Sequence, residues 1–202
     1  MEKFEIVTGV AAPLLAANID TDVIMPKQFL KGIDRNGLDQ GVFFDLRFNL
    51  DKSENENFIL NQKAWRKSSF LVVGPNFGCG SSREHAVWGI RQLGIRALIG
   101  TSFAGIFNDN CQRNGVLTIC LEQDQLDKVS ACASNEIENQ ITVNLIEQKI
   151  VLPNEEISFE IDALKKQMLV NGLDAVGFTL QYADEISKFE DKYFKEYPWF
   201  AL

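Results

Sequence analysis

One stretch, Ser69 to Gly94 (SFLVVGPNFGCGSSREHAVWGIRQLG), limits what this chain can fold into more than any other. Phe70, Leu71, Val72 and Val73 form a short apolar run of the kind that becomes a buried strand. Gly74 and Pro75 punctuate it, and Ser81-Ser82-Arg83-Glu84 opens a segment of helical periodicity. A strand that turns into a helix gathers polar groups at its carboxyl end, the edge of an open α/β sheet where ligands bind. Gly74, Gly78 and Gly80 allow a close backbone approach or a positive φ there.

Local structure explains part of the pattern. Ser81-x-x-Glu84 matches a capping box, Ala86, Val87, Ile90 and Leu93 make a buried helical stripe, and Gly94 stands at its stop. A cap explains neither the second serine nor Arg83, a cation in the first turn that opposes the helix macrodipole at a cost of a few tenths of a kcal/mol. The residues point to an anion site, with a purely structural turn as the alternative. Other motifs fail: Gly78-x-Gly80-x-x-Arg83 lacks the third glycine of a dinucleotide fingerprint, no Lys-Ser or Lys-Thr pair closes a Walker loop, and Ser81 is not flanked as in G-x-S-x-G.

With 202 residues, 46% of them hydrophobic, the chain is long enough for a proper core, and we expect one domain over residues 1–202 that includes a C-terminal helical extension. A net charge of −8 argues against nucleic acid as a partner and makes the local cations Arg83, Lys27, Lys31 and Arg35 more informative. No signal peptide, lipidation signal or membrane-spanning run is evident, so a cytoplasmic location is expected. Cys79, Cys111, Cys120 and Cys132 show no C-x-x-C pair or metal-ligand spacing and read as free thiols. Cys79 is either a nucleophile beside the helix start or, as we favour, a small residue packed under the turn. An iron–sulfur cluster held by this chain alone is not expected.

Along the chain, Phe4 to Val10 alternates as a half-buried strand and Asn18 to Asp22 reads as a polar turn. Pro26 to Gly41 is a basic connection, Val42 to Phe48 a short helix or strand, and Asp51 to Asn57 an exposed loop. Strands are expected at Ala97 to Gly100 and Val116 to Leu121, and helices at Phe103 to Asn110, Asp124 to Asn135, Ala163 to Val170 with Gly172 as stop, and Glu185 to Phe194. The polar run Asn108, Asn110, Gln112, Arg113 and Asn114 reads as a solvated loop or as a second wall of the site. Alternation around Ile141 to Leu145, Ile150 to Leu152 and Ile157 to Ile161 predicts a β-meander, as a second sheet layered on the first. The aromatic tail, Tyr193 to Phe200, packs on its own domain or docks on a partner. The fold class is therefore α/β.

Asn18-Ile19-Asp20-Thr21-Asp22, Pro26-Lys27-Gln28-Phe29-Leu30, Asn76 to Ala86 (NFGCGSSREHA), Ser102-Phe103-Ala104 and Asn171-Gly172-Leu173-Asp174 together resemble the small subunits of bacterial 3-isopropylmalate dehydratases, the swivel-domain part of the aconitase superfamily. The resemblance implies a layered β/β/α swivel domain with a mostly parallel core sheet. It also implies isomerisation of 2-isopropylmalate to 3-isopropylmalate by dehydration and rehydration in leucine biosynthesis. On it, Ser81 is the catalytic base as an alkoxide and Ser82 and Arg83 hold a substrate carboxylate. Asp22 lies beside the site and orients an acid/base group of the partner, and the Pro26 to Gly41 loop selects the substrate side chain, with Arg35 as the favoured carboxylate-binding cation. It further implies a large-subunit partner bearing a [4Fe–4S] cluster, and no cofactor on this chain. Citraconate, methylmalate or homoaconitate hydro-lyases and a non-catalytic carboxylate-binding module remain as alternatives.

Elementary energetics agree that a second polypeptide is needed. Lowering an alcohol from near the bulk-water value of roughly 15.7 to about 9 takes on the order of 9 kcal/mol. A helix N-terminus offers about 0.3–2 kcal/mol of that. His85 is the only histidine in the chain and reads as a supporting group that hydrogen-bonds the turn rather than as the proton donor.

Overall fold

The computed structural model describes residues 1–31, 35–80 and 83–200; Ser81 and Ser82 therefore lie outside the described residues. Four strands run parallel in the order β4-β3-β2-β1: β1 (Ile6–Leu14), β2 (Ser68–Val73), β3 (Ala97–Gly100) and β4 (Leu117–Cys120). Their side chains alternate between two cores, as the period of two requires. Leu71, Val73 and Leu98 pack with Phe77, Ile90 and Phe107 on one face. On the other, Phe70, Val72, Ala97 and Ile99 pack with Leu126, Val129 and Ile141. Burial on both faces is why β2 and β3 read as continuous apolar runs.

β1 is longer than its alternating segment and does a different job in each half. Residues up to Val10 pair antiparallel with β5 (Gln140–Asn144), and after a register shift Ala11 to Leu14 pair parallel with β2. That pairing overrides the weak strand preference of Ala11-Ala12-Pro13. β6 (Lys149–Val151) and β7 (Glu156–Ser158) follow β5. These three strands are the predicted meander; rather than layering as a second sheet, they continue the first into a seven-stranded one, because β5 covers the edge of β1 that β2 leaves unpaired.

The helices are α1 (Thr21–Ile24), α2 (Phe44–Arg47), α3 (Glu84–Gln92), α4 (Gly105–Arg113), α5 (Gln123–Ala133), α6 (Ala163–Asn171), α7 (Ala175–Thr179) and α8 (Ala183–Glu196). Two stops fall where expected. Gly172 closes α6 in the left-handed region, and at the end of α3 the Ile95 amide donates to Ile90 O and the Gly94 amide to Arg91 O, a Schellman arrangement. The polar run from Asn108 to Arg113 lies on α4 rather than in a loop. Asn108 Oδ1 accepts from Thr118 Oγ1 at 2.5 Å, and Asn114, the C-cap, reaches across to α3.

The aromatic tail stays off both cores. α8 buries no residue, and Tyr193 stacks with Phe189 and Phe200 and meets Tyr197 at a tilt, all within the same segment. Among the described residues no helix is long and apolar enough to cross a membrane.

Candidate active site

β1, β2 and β3 are parallel, so the loops that follow them emerge on one edge of the sheet. Hydrogen bonds then sew these loops together. Gly78 N donates to Ile19 O at 2.8 Å and Thr21 N to Cys79 O at 2.9 Å, which makes a parallel bridge between Asp20 and Cys79. Asn76 Nδ2 donates to Asn18 Oδ1 at 2.9 Å, and its backbone amide to Ser102 Oγ at 2.9 Å. Ala104 N donates to Phe77 O at 3.0 Å. Segments 18–22, 76–80 and 102–104 thus form one continuous rim. Asn18 and Asn76 take the left-handed conformation, which asparagine tolerates better than most residues.

The two aspartates of the first loop do different work. Asp20 N-caps α1, its Oδ1 accepting from Val23 N at 2.8 Å. Asp22, in the first turn, faces Arg83: Oδ1 stands 2.9 Å from Nη1, and Lys27 Nζ lies 3.8 Å from Oδ2. Both close atoms of the Asp22–Arg83 pair are buried without a formed hydrogen bond, so the contact is ionic and off the hydrogen-bonding direction. A half-exposed pair of this kind contributes about 1 kcal/mol or less to stability. Its consequence is placement: two cations converge on one carboxylate at the sheet edge of an acidic chain. The remaining guanidinium donors suit a second carboxylate.

Arg83 is the N-cap of α3 with Glu84 as first helical residue, so the expected N-cap at Ser81, with Arg83 inside the first turn, is corrected by two residues. Hydrogen bonds to Ile19 and Thr21, with Gly78 and Gly80 in the left-handed region, commit the backbone through Gly80 to a non-helical path, which delays the helix. Glu84 Oε1 accepts from Asn114 Nδ2 at 2.8 Å, and Asn114 Oδ1 accepts from Trp88 Nε1 at 2.9 Å. Asn114 thereby ties α4 to the first turns of α3. Arg35 lies over the Trp88 ring at 4.1 Å from its centroid, and the His85 ring packs on the same indole at 4.7 Å between centroids.

The comparisons with known proteins agree with this geometry. The profile of a family described as Aconitase C-terminal domain matches residues 1–124, and that of the C-terminal domain of the 3-isopropylmalate dehydratase small subunit matches residues 176–201. The chain is 66% identical over its full length to 3-isopropylmalate dehydratase small subunit 1 of Mannheimia succiniciproducens, covering 100% of both. It is 56% identical to small subunit 2 of Salmonella typhimurium, covering 98% of this chain and 96% of that one. The chain belongs to the 3-isopropylmalate dehydratase small subunit family. A solved structure titled 3-isopropylmalate dehydratase, from Methanocaldococcus jannaschii, superposes with TM-score 0.66 at 30% identity, covering 91% of this chain and 98% of that one.

Within this small subunit the structure brings Asp22, Lys27 and Arg83 together. It lays Arg35 of the connection against Trp88 of α3, the helix that Arg83 caps, rather than against Asp22. Cys79 is half-buried in the rim turn, Cys111 is buried in the core, Cys120 is exposed and Cys132 is half-buried on α5. Burial pushes the Cys111 thiol well above its usual range. Among the described residues no three His, Cys, Asp or Glu side chains stand where they could hold a metal ion, so the donor set does not fit an iron–sulfur cluster. Sequence reasoning missed the Asn18–Asn76 pair and the Glu84–Asn114–Trp88 link. The polar run ending at Asn114 was the available signal for the second.

Proposed function

We propose that this chain is the small subunit of a hydro-lyase that isomerises 2-isopropylmalate to 3-isopropylmalate by dehydration and rehydration through 2-isopropylmaleate, in cytoplasmic leucine biosynthesis. End-to-end identity to relatives that carry this name is the observation on which the reading rests. Arg83, with Lys27 on the other oxygen of Asp22, supplies the local positive charge that a dianionic substrate needs in a chain of net charge −8. Ser82 and Arg83 hold one substrate carboxylate, Arg35 the other, and Ser81 takes the carbon-bound proton. Asp22 keeps the Arg83 guanidinium aimed along the rim and orients an acid/base group of the large subunit. That partner bears a [4Fe–4S] cluster, whose chemistry when bound is Lewis-acid activation of the substrate hydroxyl.

The test is a reconstituted pair of subunits assayed against a panel of 2- and 3-hydroxy diacids. Isopropylmalate should be turned over with the highest kcat/KM. A higher value for citramalate or homoisocitrate would reassign the substrate, and turnover of none would leave a carboxylate-binding module. In the same assay Arg83→Lys should lower kcat/KM about 100-fold, because an ammonium cannot reproduce the planar two-donor grip on a carboxylate. A loss under threefold would remove Arg83 from substrate binding.

A further inference from the structure

The connection from Pro26 to Gly41 begins at the site, with Lys27 beside Asp22, and its far half is fastened to α3 by side chains that the reaction does not use. Gln92, the last residue of α3, grips it twice. Its Oε1 accepts from Leu38 N at 2.9 Å, and its Nε2 donates to Arg35 O. Trp88, one turn earlier, carries the Arg35 guanidinium on its face, and Asn114 fixes that indole through Nε1. Gly89 lets the connection lie flush: a Cβ there would stand 3.1 Å from Leu38 O, and 2.4 Å from Met25 Cε and 2.6 Å from Val42 Cγ2, the residues that flank the connection. Trp88 follows Arg83 by five residues, about 7.5 Å along a helix axis. Arg35 is therefore held against the helix that Arg83 caps.

We propose that Gln92 and Trp88 are positioning residues that clamp residues 35–41 onto α3, so that Arg35 is presented to a substrate carboxylate and the affinity for substrate is set. The substrate half of this inference rests on the function proposed above; the clamp itself does not. Neither residue touches the rim hydrogen bonds, so they act through the connection and not on the proton transfer.

The experiment uses the complete two-subunit enzyme with Gln92→Leu, which removes both grips at similar volume, and Trp88→Phe, which keeps a ring beneath Arg35. Gln92→Leu should speed tryptic cleavage after Lys31 and Arg35 about tenfold and raise KM for 2-isopropylmalate about tenfold, with kcat within twofold of wild type. Trp88→Phe should change KM less than threefold. Unchanged cleavage in Gln92→Leu would refute the clamp. Faster cleavage with unchanged KM, or a joint loss of kcat and large-subunit affinity, would refute its link to substrate. If the wild-type pair fails to turn over isopropylmalate, the functional reading and the substrate half fall together, while the cleavage rates still decide the clamp.

Discussion

Gly78→Ala is expected to destabilise the chain by about 2–5 kcal/mol, the largest stability loss of any single methyl added to the rim. Gly78 sits at φ +78°, and a Cβ built there would lie 2.2 Å from Phe107 Cγ. The left-handed conformation alone costs an L-residue about 1–2 kcal/mol. Overpacking adds about 1–3 kcal/mol where the neighbour cannot move. Phe107 cannot: it is 1% exposed, and its ring meets Phe77 edge-on at 5.6 Å between centroids. Since total stability of a domain is about 5–15 kcal/mol and each kcal/mol is worth about 2–4 °C at this size, thermal unfolding should drop by roughly 4–20 °C. Gly105→Ala is the control, because nothing lies within 4 Å of a Cβ there. It should melt within about 2 °C of wild type. If the two variants melt together, the close packing of the rim turn on α4 is wrong.

The same position shows what could be read from the chain alone. Gly78 announces a backbone constraint, but which ring lies over it depends on α4, whose residues are distant in sequence. β3 was legible to its ends because Ala97 to Gly100 is one apolar run buried on both faces. Gly172 and Gly94 were legible because a helix stop is a local event. The start of α3 was not: Ser81-x-x-Glu84 satisfies a local rule, yet the preceding backbone is committed to hydrogen bonds with Ile19 and Thr21. Tertiary pairing overrode the local signal. The meander itself was legible, and only its placement was not, since alternation identifies strands but not the edge that receives them. For the site, residue types were legible and partners were not. Asp22 and Arg83 were both singled out, but as a neighbour of the site and a carboxylate clamp; their mutual contact follows from the parallel arrangement of β1 and β2.

Replacing Ser81 with alanine in the assembled enzyme should lower kcat by about 10²–10⁴-fold, the usual worth of a positioned general base, with KM and large-subunit affinity unchanged. Ser82→Ala should do the converse, raising KM with a smaller effect on kcat. α3 sharpens this expectation. Because the helix begins at Glu84, Ser81 precedes the N-cap in sequence, and the dipole contribution fades outside the first turn. Less of the roughly 9 kcal/mol needed to make an alkoxide near pH 9 is then available from the helix, and more must come from Arg83 and from the partner. The isolated small subunit should accordingly show no turnover with any hydroxy diacid, and activity should appear in proportion to the complex formed on titration with the large subunit. Measurable dehydration by the small subunit alone would mean that this chain activates its serine unaided. Full kcat in Ser81→Ala would move the base to the other polypeptide and leave Ser82 and Arg83 as a binding site only.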